Sequence, residues 1–139
     1  MTTHPTTPAP DLAPYLFYTD VARATEFLRE AFGFAIRFTS TGTDGSVEHA
    51  QLVHGAALVM VGHAGDGGLG LARSAASFGG KLHAGVYVFV DDVDAHCERA
   101  KAAGAKVLLL PADQPWGDRM YCATDPEGQF WMFAKRATG

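Results

Sequence analysis

The sequence has little of several things, and each scarcity narrows the possibilities. Among 139 residues there are only two cysteines, Cys97 and Cys122. They form no Cys-x-x-Cys pair and no disulfide framework. No apolar run approaches the roughly 18 residues needed to span a bilayer. The opening MTTHPTTPAP lacks the basic start and apolar stretch of a secretion signal and reads as a flexible tail over residues 1–11. There is no basic run, and a net charge of −4 gives no electrostatic footprint for nucleic acid or a membrane surface. The expectation is a cytoplasmic protein. Composition is otherwise ordinary, with 47% hydrophobic and 11% aromatic residues. The length suits a single domain with a sizeable core.

What is present is one unit written twice. PYLFYTD (14–20) reads as a strand ending in an Asp20 N-cap. VARATEFLREAFG follows with Val21, Ala24, Leu28 and Ala31 on one helical face, and Gly33 ends the helix. FAIRFTS, VEHAQLV and AALVMVG then read as three strands, the last two joined at His54-Gly55. The order β-α-β-β-β restarts at GVYVFVDDVDAHCERAKAAGAKVLLLP and is completed by DRMYCAT and QFWMFAK. A repeat of about 70 residues implies two modules in one α+β domain over 12–136: module one at 12–61, a Gly-rich linker at 62–80, and module two at 81–136.

Asp125-Pro126-Glu127-Gly128 has the residue preferences of a type I turn, and its acids are expected to face water. GDGGLG (65–70) formally matches a dinucleotide-binding pattern, but the neighbouring strands read as hairpins rather than parallel β-α-β units. Cys97 falls on a helix face with Val93 and Ala100 and reads as a buried, inert thiol.

PYLFYTD…ATEFLREAFGF, HAQL (49–52), VFVDDVDAHCERAKAAGAKV and the GDR…DPEG hairpin with its aromatic strand resemble the vicinal oxygen chelate superfamily. That superfamily includes glyoxalases, extradiol dioxygenases and bleomycin-resistance proteins. The resemblance implies two tandem βαβββ modules curved into half-barrel concave sheets, and a homodimer in which the partner chain completes each cavity. In metal-dependent members, His, Glu or Gln from the first and fourth strands of each module ligate a divalent ion. Those positions fall near Ala13, Val59, Gly85 and Met132, and slips of one or two residues bring in only His83 as an ordinary ligand. No metal or other cofactor is therefore expected.

In this register the concave face carries Tyr15, Phe17, Val59, Tyr87, Phe89, Phe130 and Met132. Leu16, Leu58, Met60, Val86, Val88, Val90, Trp131 and Phe133 face the helices. Aromatic walls suit a small aromatic or amphipathic ligand, and burying one ring contributes on the order of 1.5–3 kcal/mol. His49, Gln51, His83 and Arg119 would orient it, with Trp116 stacking as a lid. The leading expectation is a metal-free binding protein that sequesters an aromatic or peptide antibiotic. A metal-dependent lyase, isomerase or dioxygenase with a different register, and a dimeric scaffold without a ligand, remain as alternatives.

Overall fold

A computed structural model describes residues 10–65 and 72–136. The tail before Pro10 and most of the GDGGLG stretch lie outside the described residues.

Module one comprises β1 (Tyr15–Tyr18), α1 (Val21–Phe32), β2 (Ala35–Thr41), β3 (Val47–His54) and β4 (Ala57–His63). Module two comprises β5 (Val86–Phe89), α2 (Val93–Ala102), β6 (Lys106–Asp113), β7 (Arg119–Thr124) and β8 (Phe130–Lys135). Each forms a four-stranded mixed sheet, in the orders β1-β4-β3-β2 and β5-β8-β7-β6. The first and last strands of each module run parallel and the remaining neighbours antiparallel. No helix among the described residues is long and apolar enough to cross a membrane.

The expected caps start both helices. The Asp20 and Asp92 side chains accept from Arg23 N and Ala95 N, each satisfying an amide the first turn leaves open. Gly33 ends α1 with φ 79°, a conformation that costs glycine no Cβ clash. The linker is not uniformly loop: β4 runs on to His63, and a 3-10 turn occupies Ala75–Phe78.

One hydrophobic core joins the modules. Phe32 at the end of α1 lies against Phe133 and Trp131 of β8, with ring centroids 4.6 and 5.6 Å away. His96 on α2 is pinned there. The Phe32 carbonyl can only accept, at 2.8 Å from Nε2, so the ring proton sits on Nε2 and Nδ1 accepts from the Tyr121 hydroxyl at 2.6 Å. Burial lowers the His96 pKa and favours this neutral form.

Both ends of α1 are held by module two. At its C-terminus, the Arg99 guanidinium donates to the carbonyls of Glu30 and Arg29 at 2.8 and 3.1 Å. At its N-terminus, the Glu127 carboxylate accepts from Thr19 N at 2.7 Å, Asp20 N at 3.0 Å and the Ser74 hydroxyl at 2.7 Å. A cation at the carbonyl end and an anion at the amide end both complement the helix dipole.

The acidic turn therefore departs from expectation, because its acids do not simply face water. Asp125 is only 5% exposed. Its carboxylate accepts from Tyr18 Oη at 2.5 Å, Trp131 Nε1 at 3.2 Å, and the amides of Glu127 and Gln129 at 3.1 Å each. The last two bonds wrap the turn around its own first side chain, as an Asx-turn does. Tyr18 belongs to module one, so the turn links the modules as well as closing the β7–β8 hairpin.

Candidate functional site

Residues paired across a ladder point to the same side of a sheet, so the registers sort the side chains. In module one, the face turned away from the helices carries a row of Tyr15, Met60, Gln51 and Phe38, and beside it Phe17, Gly62, His49 and Ser40. In module two the matching rows are Tyr87, Met132, Cys122 and Leu109, then Phe89, Ala134, Met120 and Ala112.

On the first open face, Tyr15 and Phe17 stack with centroids 4.9 Å apart and planes inclined by 28°. The Tyr15 hydroxyl lies 3.0 Å from His49 Nδ1, and the Gln51 amide nitrogen lies 3.3 Å from His49 Nε2. With the amide donating to Nε2, the ring proton sits on Nδ1 and is donated to Tyr15. Burial lowers the His49 pKa, which keeps the imidazole neutral and this string of bonds intact. Gly62 is required for the pose. A Cβ there would come within 2.6 Å of Tyr15 Cε1.

On the second open face, Tyr87 and Phe89 meet edge to face at 5.4 Å. The Tyr87 hydroxyl donates to Asp118 Oδ2 at 2.8 Å and accepts from Trp116 Nε1 at 3.3 Å. The Arg136 guanidinium sits 3.7 Å from the Phe89 ring centroid. Phe130 and Met132 close over Gly85, where a Cβ would lie 2.6 and 3.2 Å from them.

Ten of the twelve residues singled out from the sequence thus lie on or beside an open face, but in two groups. Tyr15, Phe17, His49 and Gln51 share module one, while Tyr87, Phe89, Trp116, Phe130 and Met132 share module two. His83 is not in a strand; it lies exposed on the approach to β5 and lines a cavity with Tyr15 and Phe17.

Two expectations are overturned. Val59 is paired with Leu52 inside the core at 2% exposure, and Leu58 and Met60 take the open face instead. The run ALVMV is apolar on both sides of the strand, so alternation could not fix its facing. Arg119 shares the helix-side face with Tyr121 and Ala123. Its guanidinium grips Asp94 of α2 through two bonds of 2.9 Å and reaches Asp113 at 3.2 Å. Both carboxylates raise its pKa, so Arg119 ties strand to helix and does not orient a ligand. Phe38, Met60, Met120, Cys122 and Leu109 were missed. Met60 was findable, since it stands where Met132 stands in the second module.

Two cavities open beside these faces. One of about 490 Å³ is lined by Tyr15, Phe17, Phe78, Leu82, His83 and Arg73, among others. An open groove of about 630 Å³ takes in Leu12, His54, Leu58, Tyr87, Phe89 and Arg136. The first- and fourth-strand positions on the open faces, where related metalloenzymes place ligands, hold Tyr15, Phe17, Leu58, Met60 and Gly62 in module one. In module two they hold Tyr87, Phe89, Phe130, Met132 and Ala134. None is a His, Glu or Gln. No three His, Cys, Asp or Glu side chains among the described residues are grouped to hold an ion. This donor set does not fit a divalent cation of the kind those enzymes use.

Residues 7–133 match the family described as Glyoxalase/Bleomycin resistance protein/Dioxygenase superfamily. An uncharacterized protein of Mycobacterium tuberculosis strain H37Rv, Rv0887c, is 34% identical over 127 residues, covering 91% of this chain and 74% of that one. The crystal structure of TioX from Micromonospora sp. ML1 superimposes with a TM-score of 0.73 at 33% identity, covering 92% of this chain and 99% of the other. The fosfomycin resistance protein FosX from Listeria monocytogenes shares the fold at 12% identity, with a TM-score of 0.66 and coverage of 95% and 97%. The chain belongs to the glyoxalase/bleomycin resistance protein/dioxygenase superfamily.

Proposed function

We propose that this protein binds a small planar aromatic or amphipathic molecule on its open sheet faces without a metal, and acts by holding it rather than converting it. Sequestration of an aromatic or peptide antibiotic is the use that best fits such a site. One observation carries this reading: aromatic and thioether side chains occupy the strand positions where metalloenzymes of this fold keep their ligands. The rings are open to solvent, with Tyr15 44% and Phe89 37% exposed, so a ligand would cover apolar surface that water now touches. His49 and Gln51 supply hydrogen bonds to orient a polar edge, and Trp116, 60% exposed, stands where it can fold over a ligand on Tyr87.

The working form we propose is a cytoplasmic homodimer whose second copy covers the cavities. Leu108, Leu109 and Leu110 support it, since they are exposed together on the edge strand β6.

The test pairs a thermal-shift screen of planar antibiotics with elemental analysis and melts in excess Ni²⁺, Zn²⁺ or Mn²⁺. A specific ion at 100 times its Kd would stabilise by about 2.7 kcal/mol. The expected result is no ion-dependent shift, and stabilisation by a planar ligand that is lost in Tyr87→Ala and Trp116→Ala. Stoichiometric metal would put a metal-dependent lyase, isomerase or dioxygenase in place of this reading. A chain that no ligand stabilises would be a scaffold.

A further inference from the structure

Both cavities lie on the seam between the modules. β1 and β5 each stand at the end of a sheet and do not pair with one another, and Pro14 and Val86 line both cavities. In the groove of about 630 Å³, module one supplies Leu12, His54 and Leu58, and module two supplies Tyr87, Phe89 and Arg136. Neither module has this site alone, and its volume is that of a small-molecule pocket. Leu12 is 80% exposed, so apolar wall is left for a ligand to cover. The cation of this groove is held differently from the arginines that tie down the helices. Arg29 and Arg119 are paired with carboxylates, and Arg99 with carbonyls of α1. Arg136 forms no ion pair with a described residue; its guanidinium rests 3.7 Å from the Phe89 ring centroid.

A guanidinium lying on a ring uses its flat face and leaves the N–H fork in its plane for a carboxylate. The ring also holds the side chain in place, so less freedom is lost when an anion docks. Asp91 is the other charged side chain of the lining, and it forms no ion pair with Arg136. It immediately precedes the Asp92 cap of α2, and the amide end of that helix offsets part of its charge. We infer that the seam groove binds an amphipathic anion, with an aromatic body against Leu12, Val86 and Tyr87 and one carboxylate or sulfonate on the Arg136 fork. This rests on the proposed ligand-binding function and names the charge its ligand carries. A neutral molecule of the same shape leaves the fork unused, and a cationic one is repelled by it.

Two fluorescent probes share one aryl body and differ in charge: anilinonaphthalene sulfonate is an anion and N-phenylnaphthylamine is neutral. Each is titrated into the full-length protein and its variants, with near-ultraviolet circular dichroism checking that packing is native in all of them. Arg136→Gln should weaken the anion about tenfold, the effect of losing a charge-assisted bond of about 1.4 kcal/mol, and should leave the neutral probe nearly unchanged. Arg136→Lys, which keeps the charge without the planar fork, should lose less. Added salt should weaken the anion alone. Ala57→Trp, which places a large side chain at an exposed position of the groove wall, should weaken both probes. Equal loss of the two probes in Arg136→Gln, or loss of neither, overturns the anionic ligand and leaves ligand binding standing. Anion binding that Ala57→Trp leaves untouched overturns the groove as its place. If neither probe binds, the binding function falls as well.

Discussion

Replacing Glu127 by alanine is the most direct test of how the two modules are joined. The carboxylate faces three donors in module one and the linker: the amides of Thr19 and Asp20, and the Ser74 hydroxyl. Loss of an anion capping open amides costs about 1 kcal/mol, by analogy with a helix N-cap. Removing a favourable charge at the positive end of the α1 dipole adds about 0.3–1 kcal/mol, and the Ser74 bond about 0.5–1.5 kcal/mol. Glu127 is only half-buried, so water can reach the freed amides, and the expected total is about 2–3 kcal/mol rather than the sum of three fully buried charged bonds. For a chain of this size that corresponds to a melting temperature lower by roughly 6–12 °C.

The pH dependence gives the sharper check. Burial alone would raise the Glu127 pKa, but the donors from Ser74, Thr19 and Asp20 outweigh it and hold the carboxyl below the ordinary range. A carboxyl with a lowered folded pKa contributes stability that is complete above its unfolded pKa and is lost as the pH falls through the folded value. The difference between wild type and Glu127→Ala, measured by urea denaturation, should therefore be full at about pH 7 and shrink toward about pH 3.5. Asp125, whose pKa burial raises against the pull of its donors, gives the opposite slope but cancels in this difference. Glu127→Gln, which keeps an acceptor but no charge, should lose less and show the same acid convergence. A cost below about 0.5 kcal/mol, or one that does not change with pH, would refute this role of Glu127 in joining the modules.

Three further outcomes can be checked with little additional material. Tyr18→Phe removes the shortest donor to buried Asp125 and should cost about 1–3 kcal/mol in denaturant melts, with the fold retained by circular dichroism. Gly62→Ala pushes a methyl into the Tyr15 ring, which can swing outward because it is 44% exposed; the melting temperature should fall little while the His49 ring signals shift in NMR spectra as Tyr15 leaves its hydrogen bond. His49 should titrate by NMR below the ordinary histidine value of 6.5, since burial lowers it. Its neutral form contributes stability above the unfolded pKa that is lost as the pH falls through the folded value.

Local chemistry was legible in the sequence and distant chemistry was not. Asp20, Asp92 and Gly33 announce helix ends because their work is done within a few residues. The alternation of YLFY and VYVF gives the facing of β1 and β5, since the helix-side positions continue into recognisable core. In β4 every candidate is apolar, so the difference between Val59 in the core and Met60 on the open face has no local signature. Arg119 reads as a ligand-orienting group until Asp94, 25 residues earlier, is seen to claim it. Asp125 and Glu127 carry an ordinary turn signature, while the partners that bury and bind them, Tyr18, Thr19 and Asp20, lie more than 100 residues away.

The same contrast explains why the duplication remains plain on the open faces. Core positions of the two modules meet each other and must fit together, so Leu28 on α1 answers to Ala100 on α2 and the inner faces have diverged in shape. The open faces lie on the other side of each sheet from that core, and there Tyr15, Phe17 and Met60 recur as Tyr87, Phe89 and Met132. The neighbours have diverged as well: module two has Met120 and Cys122 where module one has His49 and Gln51, and the ring pair that is stacked in module one is edge to face in module two.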